Sequence, residues 1–190
     1  MRGFTLLFTM LAFALVAPGA AQAQQPAHTG GAEYSEPEPG ATTTTPARPV
    51  VPGNKARRLD DGTAAAPADA PPEVQEAIWA ANEIVGKPYA YGGGHNRTFK
   101  SSGYDCSGTV SYALNGAGLL KSPLDSGSFM SWGKAKKGQW ITVYANSGHA
   151  WAIIAGLRWD TSGDVSGSGP RWHTDMASTA GFIARHPSGY

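Results

Sequence analysis

The chain has 190 residues, with 15 Lys and Arg against 14 Asp and Glu. It is therefore close to neutral at pH 7 and lacks the basic field that would point to a nucleic-acid partner. Charged residues make up only 15%, while 25 Gly and 14 Pro together exceed a fifth of the chain, a composition in which part of the sequence is not core. A single cysteine excludes an intramolecular disulfide and a four-cysteine zinc site, so the thiol needs an explanation of its own.

Arg2, the fourteen uncharged residues FTLLFTMLAFALVA and Ala21-Gln22-Ala23 read as a secretory signal over residues 1–23, with cleavage before Gln24. The apolar run stops at Pro18-Gly19, short of the roughly 20 residues that span a bilayer. The expected product is exported, to a periplasm or the extracellular space, with no membrane span after cleavage. Residues 24–72 contain nine prolines, the run Thr42 to Thr45, and only Tyr34, Val50, Val51 and Leu59 as larger apolar residues. Such a segment buries too little surface to offset chain entropy, and a disordered or polyproline-like linker is expected. Lys55, Arg57 and Arg58 within it suit a solvated tether better than a binding site for anionic polymers.

All six tryptophans follow residue 78, which concentrates core-forming residues in one domain of ordinary size over 73–190. Pro72 opens a helix whose apolar residues Val74, Ile78, Ala81 and Val85 share a face and which Gly86 ends. The stretch KPYAYGGGHNRTFKSSGY reads as a loop. A second helix follows over CSGTVSYALNGAG, with Val110, Ala113, Leu114 and Ala117 on one face, Gly116 or Gly118 at its end, and Asp105 at the N-cap. From there the period changes to two. QWITVYAN, HAWAIIAG, LRWDT and GFIARH read as antiparallel strands, with turns at Asn146-Ser147-Gly148 and Ala155-Gly156. Helices first and strands later predict an α+β fold, and the chain is expected to act as a monomer.

On this map Cys106 falls in the first turn of a helix, where free N–H groups and the positive end of the helix dipole favour a thiolate. The same N–H groups suit an oxyanion. A small buried hydrophobe is the plain alternative for a free cysteine. His149 opens a strand after a turn, so its ring can meet a helix terminus as the partner that cysteine activation requires. Asp160 lies 11 residues later, and a hairpin reversing at Ala155-Gly156 brings it alongside to orient the ring. Taken singly, His149 also reads as an edge histidine and Asp160 as a turn residue.

The sequences PYAYGG, GYDCSGTVSYAL and SGHAWAIIAG followed by a polar residue resemble the NlpC family of papain-like cysteine peptidases, bacterial enzymes that cut the peptide stems of peptidoglycan. The resemblance spans roughly residues 75 to 187. It implies helices packed on an antiparallel sheet, with a cleft at the nucleophile helix and no cofactor. Cys106 then matches the nucleophile, His149 the general base, and Asp160 or its neighbour Thr161 the third polar residue. Tyr89 matches a tyrosine that assists the oxyanion hole, and Asp105 and Ser107 flank the nucleophile where the family contacts substrate. Relatives often carry His as the third residue, and Gln139-Trp140 stands where they have an acidic residue. The insertion HNRTFKSSG and the tail WDTSGDVSGSGPRWHTDMAST are expected to wall the cleft.

The implied partner is a peptidoglycan peptide, and the implied bond lies between D-glutamate and the following diamino acid. Two competing readings use the same residues: a wall-binding protein without turnover, and an amidase or acyltransferase, as in a secreted toxin. His95, His173 and Asp175 lack metal-site spacing, and no metal is expected. Trp151, Trp159 and Trp172 suit a core better than a sugar-stacking platform. Lys134, Lys136 and Lys137 read as a solvated turn, and Gly92 to Gly94 do not complete a phosphate loop.

Overall fold

The structure, a computed structural model, describes residues 48–163 and 168–190. The expected signal sequence and the first half of the expected linker lie outside the described residues.

Three short strands come first: β1 (Val50–Val51), β2 (Arg57–Arg58) and β3 (Ala64–Pro67), in the order β1-β3-β2. This corrects the expectation of a disordered linker reaching residue 72. Ala64, Ala65 and Ala66 of β3 are fully buried, and β3 packs on helix α1 (Pro72–Asn82). A count of large apolar residues cannot find such an element, because alanine buries by close approach rather than by size. The helix also supplies polar partners. Asn82 accepts from the Ala64 N–H (2.9 Å) and donates to its carbonyl (2.8 Å). Gln75 donates to the carbonyls of Pro67 and Ala70 (3.1 Å each), and the Trp79 indole to that of Pro49 (3.1 Å).

Helix α1 starts with Pro72 at its first position and buries Val74, Ile78 and Ala81 as its spacing predicts. Its regular part stops at Asn82, and turns carry the chain to Gly86. Helix α2 (Cys106–Gly116) is capped by Asp105, whose side chain accepts from the Gly108 N–H. Val110, Ala113, Leu114 and Ala117 are buried, as predicted. At the C-terminus Leu119 donates to the Leu114 carbonyl (2.9 Å) and Gly118 to that of Asn115 (2.8 Å), with Gly118 at positive φ. This is the Schellman arrangement that ends helices at glycine. A single helical turn, α3 (Ser126–Phe129), is capped by Asp125.

The second half is a six-stranded antiparallel sheet of β4 (Lys134–Ala135), β5 (Ile141–Ala145), β6 (Ala150–Ile154), β7 (Leu157–Asp160), β8 (Arg171–His173) and β9 (Ile183–His186). Its spatial order is β4-β9-β5-β6-β7-β8. The four strands predicted from period two are present. The two that sequence reading misses, β4 and β8, have two and three residues, too few for an alternation to show. Strand β8 lies in the tail that was expected to be a loop. Its Trp172 meets Trp159 at a ring distance of 4.7 Å and donates to Asn82 (2.9 Å). Trp151, Trp159 and Trp172 are all buried, so they serve the core. The α+β architecture inferred from the sequence is thus the one found.

One residue therefore joins three parts of the fold, since Asn82 bonds both β3 and Trp172. Asn82→Leu would leave the Ala64 amide and the Trp172 indole unpaired, at about 1–3 kcal/mol for each buried group. The expected outcome is a clear fall in urea midpoint with little change in m-value, measured by fluorescence.

Candidate active site

The docking of α2 on the sheet sets the position of Cys106. The Trp159 indole of β7 donates to the Thr109 carbonyl in the first turn of α2 (3.0 Å), which fixes the helix start against the middle of the sheet. The loop before the helix presses equally close. A Cβ on Gly108 would stand 2.0 Å from the Gly93 carbonyl oxygen, so only glycine lets the glycine-rich loop cross the helix start. Cys106 is thereby held at the first helical position, largely buried.

The Asp105 carboxylate organises this end of the helix. Its Oδ1 accepts from the Gly108 N–H (2.7 Å), from Ser107 Oγ (3.2 Å) and from His95 Nε2 (2.9 Å), and its Oδ2 accepts from the Gly92 N–H (2.9 Å). Sequence reading identifies Asp105 as the cap but misses His95 as its partner. The nine intervening residues form an irregular loop, and no periodicity reveals which loop residue returns to the cap. His95 Nε2 also lies 3.2 Å from Ser107 Oγ. One ring nitrogen faces both Asp105 and Ser107, so the three do not form a proton relay, which needs a separate nitrogen for each partner.

His149 and Asp160 sit at the same end of the β6–β7 hairpin. Pairing runs from Ile154↔Leu157 to Ala152↔Trp159, and the turn uses Ala155 and Gly156, both at positive φ. Asn146 accepts from the Gly148 and His149 amides (2.9 Å each), which fixes the loop that launches the histidine. His149 Nε2 meets Asp160 Oδ1 at 2.9 Å. Asp160 is the residue engaged; the Thr161 side chain takes no part in that contact, and its amide donates to the same carboxylate oxygen at 2.7 Å. With Nε2 turned to Asp160, Nδ1 is the nitrogen left for the thiol.

Burial works against the charged ring, but hydrogen bonds to Asp160 and to the Cys106 sulfur, together with their charges, outweigh it and raise the His149 pKa to about 9. The ring is therefore an imidazolium at neutral pH. Its face is screened by Phe182, edge-on at 6.3 Å, which in turn meets Trp151.

Tyr89 stands at the cleft, joined by a backbone bridge to Tyr104 and partly exposed. Burial first, then the nearby Cys106 and Asp105, push its phenol pKa up, so the hydroxyl remains a donor. Tyr89, Tyr91, His95, Cys106, Asp125 and Ser147 line an open cleft of about 360 Å³. The glycine-rich loop and part of the expected insertion thus wall it. The structure does not bring His95 together with His173 and Asp175, and no cluster of three or more potential ligands among the described residues is placed to hold a metal ion.

Compared with known proteins, the chain matches no family profile and no characterised protein. Among solved structures it is similar to a mutated form of the resuscitation promoting factor interacting protein RipA. The identity is 25% and the TM-score 0.45, over 60% of this chain and 61% of that one.

The His149 shift has a defined consequence for stability. The folded pKa lies above the ordinary value of 6.5, so the stabilisation is complete below about pH 6.5 and is lost as pH rises through about 9. The urea midpoint is expected to fall across that window, and to fall less in Asp160→Asn. A two-dimensional NMR titration of His149 places the ring transition near 9 in the parent protein and lower in the variant.

Proposed function

We propose that this chain is an exported cysteine peptidase that hydrolyses peptide bonds in the stems of peptidoglycan. One observation carries the reaction class: a lone cysteine at a helix N-terminus beside an imidazolium that is itself held by a carboxylate. A binding module has no use for that combination. The substrate class rests on the resemblance of PYAYGG, DCSG and SGHAW to the NlpC family, and with it comes the bond between D-glutamate and the following diamino acid. Export rests on the N-terminal signal pattern. No helix among the described residues is long and apolar enough to cross a membrane.

In the proposed mechanism the proton of Cys106 resides on His149, and the thiolate attacks the scissile carbonyl carbon. The backbone N–H groups at the start of α2 and the Tyr89 hydroxyl receive the developing oxyanion. Collapse of the tetrahedral intermediate breaks the C–N bond, and His149 gives its proton to the departing amine. The neutral ring then takes a proton from water as that water attacks the thioester; the C–S bond breaks, the acid product leaves, and the thiolate–imidazolium pair is restored. Asp160 keeps the ring in the tautomer and orientation that both half-reactions use. Asp105, Ser107 and His95 line the cleft beside Cys106.

Purified peptidoglycan digested with the mature protein should release stem fragments cut within the peptide, identified by mass spectrometry. Cys106→Ala should abolish that release, and His149→Ala should lower it by at least about a hundredfold. Free glycan with intact stems would instead identify an amidase, a new acyl bond a transferase, and retained activity in Cys106→Ala would overturn the mechanism. His95→Ala removes a contact to the Asp105 carboxylate without touching the reacting atoms. It is expected to raise KM severalfold with a smaller effect on kcat.

A further inference from the structure

Behind the His149–Asp160 pair lies a cation that the proposed reaction does not use. Arg158 is on β7, two residues before Asp160, and its side chain is only 3% exposed. Burying a guanidinium is costly unless it is paired. Its Nε stands 3.8 Å from Asp160 Oδ2, its Nη1 3.2 Å from Asp175 Oδ2, and its Nη2 3.5 Å from the Ser162 carbonyl oxygen. The chain closes over the group at Gly163, where φ is +88° and a Cβ would fall 2.6 Å from Nη2. Any larger residue there would collide with the guanidinium.

The two oxygens of Asp160 have different neighbours. Oδ1 faces His149 and accepts from the Thr161 and Ser162 amides (2.7 and 3.2 Å), whereas Oδ2 faces Arg158. A carboxylate turns about its Cβ–Cγ bond, so a fixed charge on one oxygen sets where the other points. Across the strand pair from Arg158 stands His173, buried and held towards its neutral form by burial and by Arg158. It therefore adds no second cation beside Asp160. Asp175, on the far side, is 69% exposed and holds Arg158 from the surface.

We propose that Arg158 is a positioning residue: it holds the Asp160 carboxylate with Oδ1 aimed at His149, and Asp175 in turn anchors Arg158. The assignment deepens the peptidase reading and rests on it. It makes the tail after β7 part of the catalytic apparatus, because that tail supplies Asp175 and the tight passage at Gly163.

The charged and titratable groups around the pair are Cys106 from α2, Arg158 on β7, Arg171 and His173 on β8, and Asp175 beyond them. Their signs make the test decisive. Deleting a cation that acts only by its charge would raise the pH at which His149 titrates. Deleting one that orients Asp160 would lower it, since the carboxylate would lose its aim. The experiment is an NMR titration of His149 and the pH profile of Cys106 alkylation by iodoacetamide in the full mature protein, with kcat and KM on peptidoglycan fragments.

Arg158→Met is expected to lower the His149 transition and reduce kcat by about tenfold to a hundredfold, the scale of an ångström-level misplacement, with KM within about twofold. Arg158→Lys should recover part of the loss. Asp175→Asn, a change at an exposed carboxylate, should reduce kcat in the same direction and more weakly; its His149 transition carries no weight, because losing an anion lowers it by charge alone. If Arg158→Met does not fold, Arg158→Gln, which also deletes the cation, carries the same sign test. Folded variants with a parental or raised His149 transition and parental kcat would overturn the proposal. Titration and alkylation need no substrate, so failure of the parent protein to digest peptidoglycan would count against the substrate reading alone.

Discussion

The site depends first on the Asp105 carboxylate. Four donors converge on it: two backbone amides, one hydroxyl and one imidazole. Two of these contacts start the helix that carries Cys106, and the others gather the glycine-rich loop and His95 around that start. A carboxylate so fully engaged is ordered by its donors and orders them in return. The result is a helix N-terminus whose surroundings are rigid before any substrate arrives, which is what a cysteine nucleophile and an oxyanion site both require.

A second constraint comes from the sheet. Cys106 and His149 lie on different elements, 43 positions apart in the chain, and meet only because α2 docks at one depth on β6 and β7. The Trp159 indole bonded to Thr109 sets that depth, and Trp172, tilted against it, ties the sheet to Asn82 of α1. Asn82 also holds β3. The first described strands, the first helix and the β8 edge of the sheet thus share one polar side chain. Stability at the N-terminal segment and geometry at the Cys106 end of α2 are coupled through it.

The electrostatic arrangement around His149 is layered. Asp160 and the Cys106 sulfur favour the imidazolium, and Phe182 covers its face. Arg158 and Asp175 continue the alternation of charge outward, from sulfur to imidazolium, carboxylate, guanidinium and surface carboxylate. Each inner member is more buried than the last is exposed to solvent, so that the chain of charges ends where water can screen it.

Much of this was legible in the sequence. Cys106 at a helix start, Asp105 as its cap, the Ala155-Gly156 turn and the apolar faces of both helices follow from local rules of spacing, capping and turn chemistry. The pairing of His149 with Asp160 follows from hairpin arithmetic, because a two-residue turn fixes which residues return to the same level. The rest depends on contacts between distant segments. An alanine strand over 64–67 is invisible to hydrophobic counting until Asn82 and Gln75 are seen to satisfy its backbone. His95 reaches Asp105 through an aperiodic loop, and β8 is too short to alternate. Arg158 is one unremarked residue of the LRWDT strand until Asp160, Asp175 and Gly163 enclose it. Local sequence determined which groups are candidates for the chemistry; tertiary packing decided which of them meet, because burial and charge pairing are properties of neighbours in space that no spacing along the chain encodes.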